Sequence, residues 1–266
     1  MNGIERTVHI IPLGHEIDRA IIPFDKTKAD HVYILTKLSE KNSKEDMSKQ
    51  QRYFTTTVRK KLEERGIEVT CIHVDLFDLR DVMNTISKII VKEKENNNRI
   101  FVNMSAAGRL TSVAATLVGM AHDVQVYYVQ AEKYPEDNDD RLEHGLSICV
   151  NGDITSLINF QIVMPDPIGL EILLHLSKTE KKVRMTDLLD ILQEKKCEGF
   201  EESFSKKKLT VEERGIQSKQ LMKLDKRILP KLERDGFVHR TKDGRSVYIS
   251  ITDSGNYAAY ISGMLE

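Results

Sequence analysis

From Thr7 to Gln130 the chain exchanges short apolar runs for segments of helical periodicity, and this alternation constrains the fold more than any other feature. The apolar runs are Thr7–Pro12 (TVHIIP), His31–Thr36 (HVYILT), Ile67–Val74 (IEVTCIHV), Arg99–Met104 (RIFVNM) and Val124–Gln130 (VQVYYVQ). Amphipathic segments near His15–Phe24, Asp46–Arg65, Leu79–Lys94 and Gly108–Ala121 lie between them. Strands that are apolar without alternation belong to a sheet covered on both faces, and strands joined through helices pair in parallel. Gly66, directly after Arg65, is placed to close its helix in the left-handed conformation. The expected fold class is therefore α/β: a Rossmann-like, mostly parallel sheet with right-handed crossovers. Two further runs, Leu146–Val150 and Asn159–Met164, flank the turn Asn151-Gly152-Asp153 and read as a hairpin added to that sheet.

The pattern changes at Pro165-Asp166-Pro167, where two prolines disfavour helix before them and favour a helix start after them. This divides the chain into an α/β domain over 1–165 and a second domain over 166–266. Ile168–Leu176 and Thr186–Leu192, the latter capped by Thr186, read as two compact helices. Glu194–Arg214 is charged and reads as an exposed insertion. Ser218–Arg234 follows as a basic helix with Leu221, Leu224, Ile228 and Leu232 on one face, and Pro230 within it predicts a kink. A turn at Lys242-Asp243-Gly244 and the alternating strand Ser246–Ile251 precede a last helix over Asp253–Met264.

Helix, helix, basic helix and then a two-stranded ribbon is the order of a winged helix-turn-helix. Between Gln217 and Arg245 nine Lys/Arg oppose four Asp/Glu, a local excess of +5 in a chain whose net charge is −1. Such a segment attracts phosphate. The residues expected on double-stranded DNA are Ser218, Lys219, Gln220, Lys223 and Arg227 in the N-terminal half of the recognition helix, and Arg240, Lys242 and Arg245 on the wing.

In the first domain two strand-to-helix junctions are rich in small and hydrogen-bonding residues. One is Leu13-Gly14-His15-Glu16 after the first strand; the other is Asn103-Met104-Ser105-Ala106-Ala107-Gly108-Arg109-Leu110-Thr111 after the fourth. Small residues let a ligand approach the backbone, helix N-terminal amides favour an anion, and Arg109 suits phosphate. Both junctions fall at the carboxyl ends of strands, where open parallel sheets bind ligands. Neither GxGxxG nor a P-loop is present, so no cofactor is expected, and close helix–sheet packing would use the same small residues.

Ile10–Asp18 (IIPLGHEID), Val102–Thr111 (VNMSAAGRLT) and the C-terminal basic ribbon, with the run LPKLERDGFVHRTKDGRS from Leu229, together resemble the archaeal CARF-type (CRISPR-associated Rossmann fold) winged-helix transcriptional regulators. The resemblance implies a homodimer whose two loops line a pocket at the two-fold axis, and several members bind cyclic oligoadenylates there. By resemblance, Gly14, His15 and Glu16 form the first ligand loop, and Asn103, Ser105, Ala106, Ala107, Gly108 and Arg109, with Thr111, the second. Ser105-Ala106-Ala107-Gly108 stands where the commoner pattern is a Thr-Gly-Gly-Thr-like run followed by Lys or Arg, which leaves the identity of the ligand open.

The sequence reads as a ligand-responsive DNA-binding regulator rather than an enzyme. Ser105 is a candidate nucleophile, but no Ser-His-Asp order, nucleophile elbow or metal-spaced His/Cys cluster accompanies it. His9, His31 and His73 fall within strands, and His122 and His144 read as surface groups. Two other readings stay open: a ring-nuclease-like enzyme that cleaves a cyclic oligonucleotide by orienting its ribose hydroxyl, and a nucleotide-responsive scaffold that binds a partner protein through Glu194–Arg214. Three dispersed cysteines and the lack of a signal-like N-terminus or an apolar span place the expected home in the cytoplasm, away from membranes.

Overall fold

A computed structural model describes residues 5–37, 46–160, 162–179, 181–203, 209–244 and 246–265. The chain forms two compact units, Met1–Val163 and Met164–Glu266.

In the first unit β1 (Thr7–Pro12), β2 (His31–Thr36), β3 (Glu68–His73), β4 (Arg99–Asn103), β5 (Gln125–Val129) and β6 (Ile154–Ser156) form one sheet in the order β3-β2-β1-β4-β5-β6. The pairings among the first five strands are parallel, with Ile10 opposite both Tyr33 and Val102. The winding direction reverses between β1 and β4, so the crevice between their carboxyl ends is where this topology places a ligand. β1 and β2 are buried almost throughout, as their continuous apolar sequences require.

Four longer or functionally placed helices join these strands: α2 (Asp46–Glu63), α3 (Leu79–Glu95), α4 (Arg109–Ala121) and α5 (Asn138–His144). Asp78 caps α3 by accepting from the Arg80 and Asp81 amides, and Gly66 closes the turn after α2 at φ 76°. Gly119 lets α4 lie directly on β5, since a Cβ there would sit 2.2 Å from Val126 Cγ2. The helix expected over His15–Phe24 is shorter: α1 spans Asp18–Ile21 and gives way to a 3-10 turn, Ile22–Asp25, at Pro23. Proline has no amide to continue an α-helical ladder.

Among the described residues the expected hairpin is not formed. Ile154–Ser156, between the two apolar runs, pairs antiparallel with β5, and Ile148 makes only an isolated bridge to Lys133. The backbone of the first run is already committed elsewhere: Leu146 donates to the His15 carbonyl at 3.0 Å, and Ile17 donates to the His144 carbonyl at 3.1 Å. Residues 144–149 thus form a strap across the loop after β1.

In the second unit the elements are α6 (Pro167–Thr179), β7 (Val183–Arg184), α7 (Met185–Glu194), α8 (Val211–Lys223), a π-helical turn (Leu224–Ile228), α9 (Leu229–Arg234), β8 (Val238–Asp243), β9 (Ser246–Ile251) and α10 (Asp253–Ile261). The three strands order β7-β9-β8, the winged-helix arrangement. Asp166 caps α6 by accepting from the Gly169 amide. Thr186 is not the cap of α7; the capping position is Arg184, and Thr186 is the second helical residue. The wide π turn comes just before Pro230, and it relieves the clash between the proline ring and the preceding turn that would otherwise kink the helix.

Glu194–Arg214 is not simply an exposed insertion. Its last residues open α8, where Thr210 and Glu213 form a reciprocal capping box. Phe200 from the same stretch is fully buried in the core, among Leu173, Leu192, Leu224 and Ile249. One aromatic in a charged run supplies the anchor, a contribution of a few kcal/mol, on the order of 3.

Candidate functional site

At the switch point of the first unit a groove of about 780 Å³ opens, lined by Glu16, Arg19, Met104, Ser105, Ala107, Arg109, Ser112, Val113, Thr116, Leu117, Tyr128, Tyr134, Leu146 and Ser147. Five residues of the two loops line it, the predicted ligand residues Glu16, Ser105, Ala107 and Arg109 together with Met104. The others support it. Gly14 donates to the Ala106 carbonyl at 2.7 Å, and a Cβ at Gly14 would stand 3.5 Å from Ala106 O and Ala107 Cα, so these positions bind the two loops to each other. His15 stacks on Phe54 with ring centroids 5.0 Å apart.

Asn103 is buried and serves as the brace of the second loop. Its Oδ1 accepts from the Ser105 amide at 2.9 Å and from Ser105 Oγ at 2.6 Å, while Nδ2 donates to the Arg19 carbonyl. Ser105 Oγ also accepts from the Val129 amide at 3.1 Å. Held by an amide side chain and a backbone N–H, this hydroxyl has no general base on it. Thr111 is buried and donates to the Leu76 carbonyl. Gly108 is the N-cap of α4, with no side-chain cap and no acid in the first turn, so the helix end keeps its positive character at the groove. Arg109 beside it is exposed and has no hydrogen bond or ion pair to another described residue.

The other end of the groove carries two buried charges. Glu16 Oε1 accepts from the Ser147 hydroxyl at 2.9 Å. Burial pushes its carboxyl pKa up to about 7, against the pull of Arg19 and the Ser147 hydrogen bond. Arg19 donates through Nη1 to the Ser105 carbonyl and through Nη2 to Tyr128 Oη, both at 3.0 Å, and its guanidinium lies 5.0 Å from the Tyr128 ring centre. The strap that brings Ser147 and Leu146 in is pinned by Asp18, which accepts from the Cys149 amide at 3.0 Å and bonds His144 Nδ1 at 2.9 Å. His144 is thus a partner of a buried carboxylate, not the surface group the sequence indicates.

Sequence reasoning missed Arg19, Tyr128, Ser147 and the α4 face Ser112, Val113, Thr116. The α4 face has a signal, since 109, 112, 113 and 116 share one side of a helix. Among the described residues no cluster of three or more His, Cys, Asp or Glu could hold a metal ion, and no helix is long and apolar enough to cross a membrane.

In the second unit the long helix begins at Val211, seven residues before its expected start, so the basic positions lie in its middle rather than at its N-terminus. Ser218, Lys219, Arg227 and Lys242 are exposed. Three of the expected DNA contacts are otherwise engaged. Gln220 is turned inward, accepting from Gln193 Nε2 at 2.6 Å and donating to the Glu202 carbonyl. Lys223 Nζ donates to the Glu198 carbonyl at 2.8 Å and sits 5.0 Å from the Phe200 ring centre. Arg240 is paired with Glu233 at 2.6 Å and with Asp225 at 3.7 Å, and holds the Glu233 carboxyl below its ordinary pKa. Arg245 lies outside the described residues. The exposed stripe instead includes Arg214 and Met222, which sequence reasoning did not select.

A mostly parallel α/β sheet with a switch-point groove, followed by a winged helix, defines the class: a Rossmann-like domain joined to a winged-helix domain. Residues 7–134 match the family described as HFX_2341_N:-like, N-terminal, and residues 168–263 match the DUF6293 C-terminal winged helix domain. The chain is 27% identical over 140 residues to the uncharacterized protein MJ1513 of Methanocaldococcus jannaschii, a match covering 50% of this chain and 40% of that protein. Similar solved structures include Csm6 of Enterococcus italicus bound to cyclic hexa-2'-fluoro-hexa-dAMP, at 14% identity and TM-score 0.43, covering 87% of this chain and 56% of that one. Protein VC1899 of Vibrio cholerae is 13% identical with TM-score 0.40, covering 93% and 76% respectively. Can2 of Sulfobacillus thermosulfidooxidans, in complex with cyclic tetra-adenylate, is 12% identical with TM-score 0.36, covering 96% and 63%. The chain spans less than two thirds of the length of several of these proteins, and at such TM-scores none of them carries an activity across.

Proposed function

We propose that this protein is a DNA-binding regulator in which a nucleotide-like anion, bound in the groove of the first unit, controls a winged helix. The observation that carries the reading is the polarity of the groove. Arg109, a cation with no partner among the described residues, stands at the uncapped N-terminus of α4, where an anion is favoured by both charge and backbone dipoles. The Ser105 hydroxyl in the same groove is held by Asn103 and the Val129 amide, an arrangement that suits binding. Cyclic oligoadenylate is the ligand class implied by the sequence resemblance.

The DNA-facing part follows from Ser218, Lys219 and Arg227 on α8 and the π turn, with Lys242 on the wing. A homodimer fits both ends. Leu110 and Val113 of α4 are 50% and 52% exposed beside the groove, an apolar surface that a second copy would cover. Two winged helices in turn suit half-sites about one helical turn apart, or a multiple of that. The test is a mobility shift on genomic fragments, the protein's own promoter included, over a range of salt. Binding that weakens steeply with salt supports the reading, and absence of any shift at low salt refutes it. Sedimentation equilibrium of the same sample reports the dimer, and a monomer at assay concentrations would remove that part.

A further inference from the structure

One guanidinium in the second unit ties three elements together. Arg240 lies on β8 opposite Ile249, a residue of the core, and its own side chain is 27% exposed. Its Nε donates to Glu233 Oε2 of α9 at 2.8 Å, Nη2 lies 2.6 Å from the same oxygen, and its backbone amide donates to Glu233 Oε1 at 3.2 Å. Nη1 reaches the π turn, where it donates to the Asp225 carbonyl at 3.4 Å with the Asp225 carboxylate 3.7 Å away. The helix has no amide of its own for that carbonyl in the π register. The Leu229 amide bonds the Leu224 carbonyl five residues back, and the next residue, Pro230, has no N–H to give to Asp225. Arg240 supplies a donor in its place.

This is not a phosphate site. All three guanidinium nitrogens are engaged, and a phosphate approaching Arg240 would meet the carboxylates of Glu233 and Asp225. What the arrangement does is hold two other groups at a set spacing. Arg227 is exposed on the π turn. Lys242 is exposed two residues beyond Arg240, on the same face of β8. Val238 anchors the start of β8 in the core, whereas Thr241, Lys242 and Asp243 are exposed, and Arg240 stands between the anchored part and the free part. Resting on the reading of the second unit as DNA-binding, we infer that Arg240, Glu233 and Asp225 form a clamp that presets the spacing of the recognition helix and the wing, so that Arg227 and Lys242 reach DNA together. Arg240 is then a positioning residue for DNA binding, and two acids favour the binding of a polyanion.

The experiment measures the affinity of the full chain for its own promoter fragment by fluorescence anisotropy over a range of salt, with thermal melts showing that each variant is folded at the assay temperature. Arg240→Ala is expected to bind roughly three- to tenfold more weakly, the cost of ordering a loosened wing on binding. Its slope of log affinity against log salt should equal that of wild type, whereas an arginine seated on phosphate would lower the slope by roughly 1 when removed. Arg240→Lys keeps the charge without the fork and should bind as weakly as Arg240→Ala. Glu233→Gln tests the sign: by charge alone, removing an acid tightens binding to DNA, and the clamp predicts that binding weakens. Hydrogen exchange of residues 238–251 should quicken in all three variants. Folded variants that bind as wild type overturn the inference and leave the cluster a local stabiliser. So does a slope lowered by about 1 in Arg240→Ala, or a Glu233→Gln variant that binds more tightly. Wild type that binds no DNA at low salt overturns the DNA-binding reading itself, and the inference falls with it.

Discussion

Substituting Glu16 by glutamine should stabilise the first unit at neutral and alkaline pH, by an amount that depends on pH in a defined way. The Glu16 carboxyl has its pKa raised from 4.5 to about 7, chiefly by burial, with Arg19 and the Ser147 hydrogen bond only partly offsetting the loss of water. In the unfolded chain the group titrates near its ordinary value, so between about pH 4.5 and pH 7 the folded state holds a proton that the unfolded state has released. A raised carboxylate pKa therefore favours folding at low pH, and that advantage fades as pH climbs through this window. A tenfold weaker acid corresponds to about 1.4 kcal/mol, so the cost of ionising Glu16 in place reaches about 3 kcal/mol at pH 8. Glutamine has the same shape, can accept from Ser147 and never ionises. Glu16→Gln is expected to be more stable than wild type by about 2 to 3 kcal/mol at pH 8, with the difference shrinking toward zero near pH 4.5. Urea unfolding followed by circular dichroism at several pH values measures this, with hydrogen exchange of β1 and β4 peptides reporting the first unit separately. Because only the difference between two proteins is read, titrating groups that do not interact with Glu16 cancel. A stability difference that is the same at pH 5 and pH 8, or a variant that is less stable at pH 8, would refute the reasoning.

Three further outcomes follow from the geometry. Gly145 adopts φ 93° and ψ −147° and a Cβ there would come within 2.6 Å of the Ile17 nitrogen, so Gly145→Ala should destabilise the first unit by on the order of 3 kcal/mol and weaken ligand binding through displacement of Ser147; thermal melts and titration with cyclic tetra-adenylate check both. Phe200→Ala should remove about 3 to 5 kcal/mol from the second unit, visible in hydrogen exchange of α7 and α8, because the ring is wholly buried. Lys219→Ala and Arg227→Ala should each reduce the slope of log affinity against log salt for DNA by roughly 1, whereas Lys223→Ala, whose amine is held by Glu198, should leave the slope unchanged.

The five parallel strands of the first unit were legible almost to the residue, because strands such as β1 and β2, buried on both faces, are apolar with little interruption, whereas β6, three residues at the sheet edge, was not. The winged helix was legible for a similar reason: Leu224, Ile228 and Leu232 repeat at helical spacing and the ribbon alternates at period two. What escaped was set by partners distant in sequence. Whether Lys223 faces DNA or a loop depends on Glu198 and Phe200; whether Gln220 is outside or inside depends on Gln193. Charge counting cannot separate these cases, since a lysine reads the same in both. The start of α8 was misplaced because Val211–Gln217 is polar and carries Gly215, a weak helix former, and only the Thr210–Glu213 capping pair marks its beginning. In the groove the two loops could be read from their small residues, but Ser147 reaches Glu16 from 131 positions away. No local pattern announces such a contact.

Control of DNA binding by the groove is the central claim, and linkage tests it most directly. Fluorescence anisotropy of a labelled promoter fragment would be titrated with the full chain at fixed salt, with and without saturating cyclic tetra-adenylate, and the affinity for the nucleotide would be measured with and without the DNA. A regulator of this kind should show a DNA Kd that changes by a factor of about 5 to 150, and a nucleotide Kd that changes by the same factor when DNA is present. A DNA Kd unaltered by bound nucleotide, or DNA that fails to bind at low salt in either state, would contradict the account.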